Sequence, residues 1–216
     1  MVIRKGIIQH GIVTAKEYVG TNWNTVGTST TDENGDYSLL LSGYAGGILK
    51  IEITADSSTT MKCDDVSGCG DSATFGQPIA LSNDFSMAAI LPSVTSTSFT
   101  DVPVTPYTNM AAHLAESSLA TATDKSAAVN TALSTVTTIV GFNIATTPVV
   151  DITADDFSTT ATADEQRAAA MSAALMSFTN ESTSVEDVLD RLASAIDDST
   201  LDENDTIPFS DLRQAW

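Results

Sequence analysis

The sequence predicts an α+β protein in which the two classes are segregated along the chain. Residues 1–92 read as an antiparallel β-sandwich, 93–104 as a linker, and 105–216 as a small α-helical bundle. Three observations carry this. Apolar residues alternate along the first segment. They recur at helical spacing after residue 105. Between the two lies "PSVTSTSFTDVPVTP", rich in Ser, Thr and Pro, which shows no helical period.

The strands follow in order. Ile3 to Ile8 is a short apolar run, and "GIVTAKEYV" places Ile12, Val13, Ala15 and Tyr18 along the next. "DYSLLLSG" sets Tyr37, Leu39 and Leu41 against Ser38 and Leu40. "LKIEITA" alternates Leu49, Ile51 and Ile53 with Lys50, Glu52 and Thr54. "DFSMAAIL" puts Phe85, Met87, Ala89 and Leu91 on one face. Period two with Gly, Asn and Asp punctuation is the mark of antiparallel sheets with one buried face.

Helix signals then take over. Thr105 is placed to cap a helix that opens with Pro106, and Tyr107, Met110 or Ala111, Leu114 and Leu119 trace one stripe. Asp124 caps the next, with Val129, Leu133, Val136 and Val140 inward and Gly141 as its stop. Thr162 and Glu165 form a capping box ahead of Ala168, Met171, Leu175 and Phe178. Ser184 opens a fourth stripe through Val185, Leu189, Leu192 and Ile196, and a last short helix is expected from Pro208 to Trp216. The long connection "FNIATTPVVDITADDFSTTA" is expected to pack across the bundle. The change of period predicts two separately cored domains.

Charge narrows the partners. Nine basic residues face 28 acidic ones, a net charge of -19, which disfavours nucleic acid and anionic membrane surfaces. With 42% hydrophobic residues the chain can still bury a core. No apolar run is long enough to span a bilayer, so no membrane insertion is expected. "MVIRKGIIQHG" shows no signal peptide, and the expectation is that native export signals are missing from this chain.

Cys63 and Cys69 lie six apart in "MKCDDVSGCGD", neither a zinc-knuckle nor a redox C-x-x-C spacing. A local disulfide in a turn-rich, exposed loop is expected, worth about 2 kcal/mol in the chain-entropy picture. Such a bond implies an oxidising compartment.

"GIVTAKEYV … GTSTTDENGDYSLLLSGYAGGILKIEITA" resembles the carboxypeptidase regulatory-like and Cna-B-like (transthyretin-like) β-sandwich modules. In these a G-x-V-x-A strand precedes a T-D-x-x-G-x-Y-S-L hairpin and a G-x-x-x-I-x-I-T strand. "VTPYTNMAAHLAE" and the helical stretches after it resemble the V-T-P-L-T-type segment that follows such modules in bacterial exported proteins and lipoproteins, with Tyr107 where Leu is common. The resemblance implies export to the cell surface and names no reaction.

Three acidic clusters are calcium candidates. In "TDENGDYSL", Asp32, Asn34 and Asp36 could each offer an oxygen, but calcium takes six to eight. The competing reading is a hairpin turn, with Gly35 at positive φ and Asp32 and Asn34 bonding their own backbone. In "STLDENDTIPFSDL", Asp202, Asn204 and Asp211 fall at positions 3, 5 and 12 of an EF-hand-like loop. Thr200 stands at position 1 and Asp205 at the glycine position, so a solvated loop is favoured. Asp64 and Asp65, inside the cysteine loop, read as solvated carboxylates.

Catalytic patterns are absent from the sequence. His10 falls in a strand-to-strand turn and His113 beside the Leu114 stripe. Neither accompanies a G-x-S-x-G or H-E-x-x-H motif, and no catalytic residue or cofactor site is expected. Trp23, in "GTNWNTVG", reads as a loop aromatic folded over one end of the sandwich, or as a sugar-stacking surface. The leading expectation is a non-enzymatic structural or adhesive module, whose partners are other extracellular proteins or copies of itself. Behind it stand a saccharide- or peptide-binding accessory domain of a secreted enzyme and a subunit of a self-assembling extracellular fibre.

Overall fold

The computed structural model describes residues 7–176, apart from 67, 70–72, 101 and 149, together with Arg191. In chain order the elements are β1 (Ile8–Gln9), β2 (Ile12–Val19), β3 (Asn22–Thr30), β4 (Ser38–Leu40), β5 (Leu49–Thr54), β6 (Thr60–Lys62), β7 (Pro78–Ala80), β8 (Ser86–Leu91), β9 (Ser98–Thr100), α1 (Pro106–Leu119), α2 (Lys125–Val140), α3 (Phe157–Thr160) and α4 (Ala163–Met176). Antiparallel sheets and four helices among the described residues make this a mixed α+β chain. Apart from Arg191, the last two predicted helices lie outside the described residues, as do Phe178, Asp202, Asn204 and Asp211.

The largest sheet has the order β3-β2-β5-β8. Its register sets apolar side chains opposite one another: Val13 beside Ile53, Ala15 beside Ile51, Ile51 beside Ala89, Ile53 beside Met87. All are buried, as the alternation required. Tyr37, Leu39 and Leu41 around β4 close on the same cluster, as do Ile8, Met61 and Phe85. Leu40, between them, is 76% exposed, so the predicted alternation around β4 holds.

β3 was not visible as a strand. It is an edge strand of mostly polar residues, and its pairing with β2 shifts register at Ala15/Lys16. Ala15 pairs with Gly27 and Lys16 with Thr25, so Val26 is the extra residue and points into the core. β6 and β7 were also missed. They are three residues each and form a small sheet with β1, in the order β1-β6-β7.

The linker reading of 93–104 needs correction. Ser98–Thr100 is β9, which pairs with β4, and Leu41 N–H donates to Thr97 O at 2.8 Å. Tyr37 Oη–H donates to Val102 O at 2.7 Å, and Val104 is buried in the sheet cluster. Thr, Phe and Val suit strands as well as extended links, and composition alone did not separate the two.

The helices start where their caps predict. Thr105 and Thr108 form a reciprocal cap at α1, with Pro106 in the first turn. Asp124 Oδ1 accepts from Ala127 N–H at 2.9 Å, and Gly141 ends α2 in the left-handed region at φ 78°. Thr162 N–H donates to Glu165 Oε2 at 2.5 Å, completing the box ahead of α4. Tyr107, Met110, Val136, Val140 and Ala168 form one helical cluster, and Phe142 and Ile144 from the long connection join it.

A further cluster joins the two halves. Ala88 and Ile90 of β8, with Ile48, pack against Ala112, Ala115 and Leu119 of α1 and Val129 and Ala132 of α2. β8 is therefore buried on both faces, and the sheets and the helices share an interior. This counts against the separately cored domains expected from the change of period.

Candidate functional site

The Asp32 turn is closed by its own backbone and side-chain bonds, but it carries the chain from β3 in one sheet to β4 in another, so it is not the turn of a paired hairpin. Asp32 Oδ1 accepts from the backbone N–H of Asn34 and of Asp36, both at 2.8 Å. Gly35 sits at φ 75° and donates its N–H to Asp32 O at 3.0 Å. One oxygen of the best-placed candidate ligand is thus committed to turning the chain. Among the described residues no three His, Cys, Asp or Glu side chains are grouped to hold a metal.

Cys63 and Cys69 are brought to disulfide distance, with Cα atoms 5.7 Å apart. Their surroundings differ from the expected exposed loop. Cys63 is fully buried and Cys69 is 8% exposed, while Val66 between them is 81% exposed. Cys63 extends the β6–β7 ladder: its N–H donates to Gln77 O and its carbonyl accepts from Gly76 N–H, each at 2.8 Å. Cys69 N–H donates to Ala73 O at 2.8 Å. Asp64 is buried, not solvated as expected, whereas Asp65 is half-buried.

The same hairpin touches the helical half. Lys62 Nζ pairs with Asp151 Oδ2 at 2.7 Å, and Asp151 Oδ1 accepts from Thr153 N–H at 2.9 Å. Gly76 lies against the Thr153 side chain. Tyr107 shares a hydrogen bond with Ser172 at 2.8 Å and is buried. Burial pushes its hydroxyl pKa far up, the Ser172 bond opposes this, and the Asp64 charge adds to the rise.

Trp23 is not in a loop. It lies in β3, 5.0 Å from the Tyr18 ring, and Lys50 Nζ sits 4.8 Å from its ring centroid. Lys50 also pairs with Glu116 of α1 at 2.6 Å, so the aromatic pair helps tie the outer face of the sheet to the helix. A sugar would compete with Lys50 for that ring. His10 turns the chain between β1 and β2 at φ 59°, as expected, and His113 is exposed on α1.

One structural site escaped the sequence reading altogether. Glu17, in β2, is 3% exposed, and its carboxylate accepts from Gly47 N–H at 2.8 Å and Ala45 N–H at 3.1 Å. Tyr44 Oη–H donates to Gly47 O at 2.6 Å. Burial pushes the Tyr44 hydroxyl pKa up, against its contact with the Val94 carbonyl, and the Glu17 charge adds to the rise. "GYAGG" is thereby pinned to the sheet by a carboxylate that replaces a missing strand partner. Glu17 in an amphipathic strand pattern gives no local sign of this role.

No protein-family model, no curated protein and no solved structure matches the chain. No helix among the described residues is long and apolar enough to cross a membrane.

Proposed function

We propose that this chain is a non-enzymatic, exported bacterial cell-surface module acting through structural or adhesive contacts with other extracellular proteins or with copies of itself. The observation that carries the reading is the Cys63–Cys69 pair, held at bonding distance inside the fold. Such pairs persist as disulfides outside the reducing cytosol. The architecture supports the same reading. Two small sheets and the four-stranded sheet contribute to one apolar cluster, and α1 and α2 pack against the outer face of β8.

The surface chemistry points the same way. Lys16, Lys50 and Lys62 are each engaged with a carboxylate of the chain itself, and Lys125 lies 5.9 Å from the Tyr18 ring. With all nine basic residues counted the net charge is still -19, which suits contact with cationic or cation-bridged surfaces and resists collapse onto polyanions. The test is surface labelling of intact native cells with an impermeant reagent, followed by intact mass after thiol alkylation. Labelled protein with no alkylated thiol before reduction is the expected result. Two alkylated thiols in protein shielded from the label would overturn the proposal.

A further inference from the structure

We infer that the outer face of α2 is a self-association seam, on which α2 of a second copy of this chain packs antiparallel. The inference deepens the contact between copies named in the proposal above and rests on that part of it.

Charge marks the face. From Ser126 to Val150 the sequence holds no Asp, Glu, Lys, Arg or His, the longest such run in a chain of net charge -19. The inner face of α2 carries Val129, Ala132, Val136 and Val140, all buried with residues of α1. On the other side Ala127, Asn130, Thr131, Ser134 and Thr138 are exposed. The solvated face of an amphipathic helix ordinarily carries charges. This one carries none in a protein that has them to spare.

Spacing makes the face a seam. Ala127, Thr131, Ser134 and Thr138 recur at intervals of four, three and four, the period of helices that pack along their length. None is larger than threonine, so two backbones can come close. The groove lined by Asn130, Thr131, Ser134, Thr135 and Thr138 is shallow and open, a place for the ridge of another helix. The seam also fits itself. With a two-fold axis between Thr131 and Ser134, Thr131 meets the partner's Ser134 and Ala127 meets the partner's Thr138. The antiparallel arrangement sets the helix dipoles head to tail.

Covering the face strands few polar groups. Thr131 Oγ1–H donates to Ala127 O and Thr135 Oγ1–H to Thr131 O, each at 2.9 Å, and Thr138 Oγ1–H donates to Ser134 O at 2.8 Å. These hydroxyls are already bonded within the helix, so their burial leaves no donor unpaired. Each threonine still offers a partner its methyl group.

Charge also selects the occupant. Two copies repel through their acidic surfaces, and least where both are uncharged. A basic partner would gain more on an acidic face than on this one. With 16 residues α2 is about 24 Å long, and one helix pair buries less than the roughly 1,200 Å² of a stable interface. Association is therefore weak, with Kd of about 100 μM.

Sedimentation equilibrium of the purified full chain, from about 1 μM to about 1 mM, tests the seam. A monomer–dimer equilibrium is expected, tightening about threefold or more as NaCl rises from about 50 to about 500 mM and screens the repulsion. Thr131→Lys and Ser134→Glu should each weaken it about tenfold or more, with Tm within about 2 °C of the parent. Mixing the two variants should restore the dimer, because an ammonium then faces a carboxylate across the axis. A chain monomeric throughout would overturn the inference and leave contacts with other extracellular proteins standing. A dimer that salt weakens, or that both substitutions leave intact, would overturn it by placing the contact elsewhere. A mixture no tighter than the single variants would overturn the antiparallel pairing. A steep fall in the Tm of Ser134→Glu would show the face already covered within its own chain, which also overturns it. Surface labelling of cells succeeds or fails independently of these results, since they are read on purified protein.

Discussion

The four-stranded sheet and the β6–β7 hairpin solve the same problem by different means. In the large sheet, β5 and β8 carry apolar side chains opposite one another, and β8 is covered on its second face by α1. Burial on both faces of β8 is its main support, with the Lys50–Glu116 pair beside it. The hairpin has three-residue strands and Pro78 at one end; a cysteine pair six positions apart closes the loop after β6, and the Lys62–Asp151 ion pair reaches a residue 89 positions away. Where a strand is too short to bury much surface, local loop closure and charge add to what little burial supplies.

Removing the helical cover should have the largest effect. A fragment ending at residue 92 loses β9, Glu116 and the whole of α1, leaving Ala88 and Ile90 exposed and Lys50 without its α1 partner. It should show no cooperative thermal transition by circular dichroism. A sharp transition in that fragment would mean that the large sheet stands on its inner face alone, and would restore the picture of two separately cored domains.

Paired substitutions sharpen the contrast between the regions. Ile51→Ala, at a site with no exposure in the centre of the large sheet, should cost about 3–4 kcal/mol in urea unfolding. Ile79→Ala, partly buried in β7, should cost only about 1 kcal/mol while the cysteines stay bonded. Equal losses at the two sites would show that the hairpin core is as tightly packed as that of the large sheet.

The smallest effect is expected at the Asp32 turn, which belongs to neither region's core. Asp32→Ala should lower Tm by about 2–4 °C, through loss of the two backbone bonds. Calcium should raise Tm no more than sodium chloride of matched ionic strength, because screening of a net charge of -19 is diffuse. A saturable calcium-specific rise at micromolar levels, abolished by the same substitution, would make the turn a metal site.

Much of the fold was legible because its signals are local. β2, β5 and β8 announce themselves by alternation, α1 and α2 by Thr105, Asp124 and Gly141, and the turn at Asp32 to Asp36 by its own backbone chemistry. The pairing of Cys63 with Cys69 followed from their spacing. Each of these depends on residues within a few positions of one another.

Tertiary structure decided the rest, because those features depend on partners far away in the chain. β3 is a strand only because β2 lies beside it, and Val26 is buried only because a bulge turns it inward. β9 came from a Ser/Thr-rich stretch through its pairing with β4, and Ile90 is buried through α1. Glu17 became a buried acceptor when the chain some 30 residues on brought Gly47 and Ala45 to it. Local signals were enough for the starts of α1 and α2, the inward faces of β2, β5 and β8, and the pairing of the two cysteines. Only the folded chain decided which faces meet, because that is settled by the surface each long-range contact removes from water.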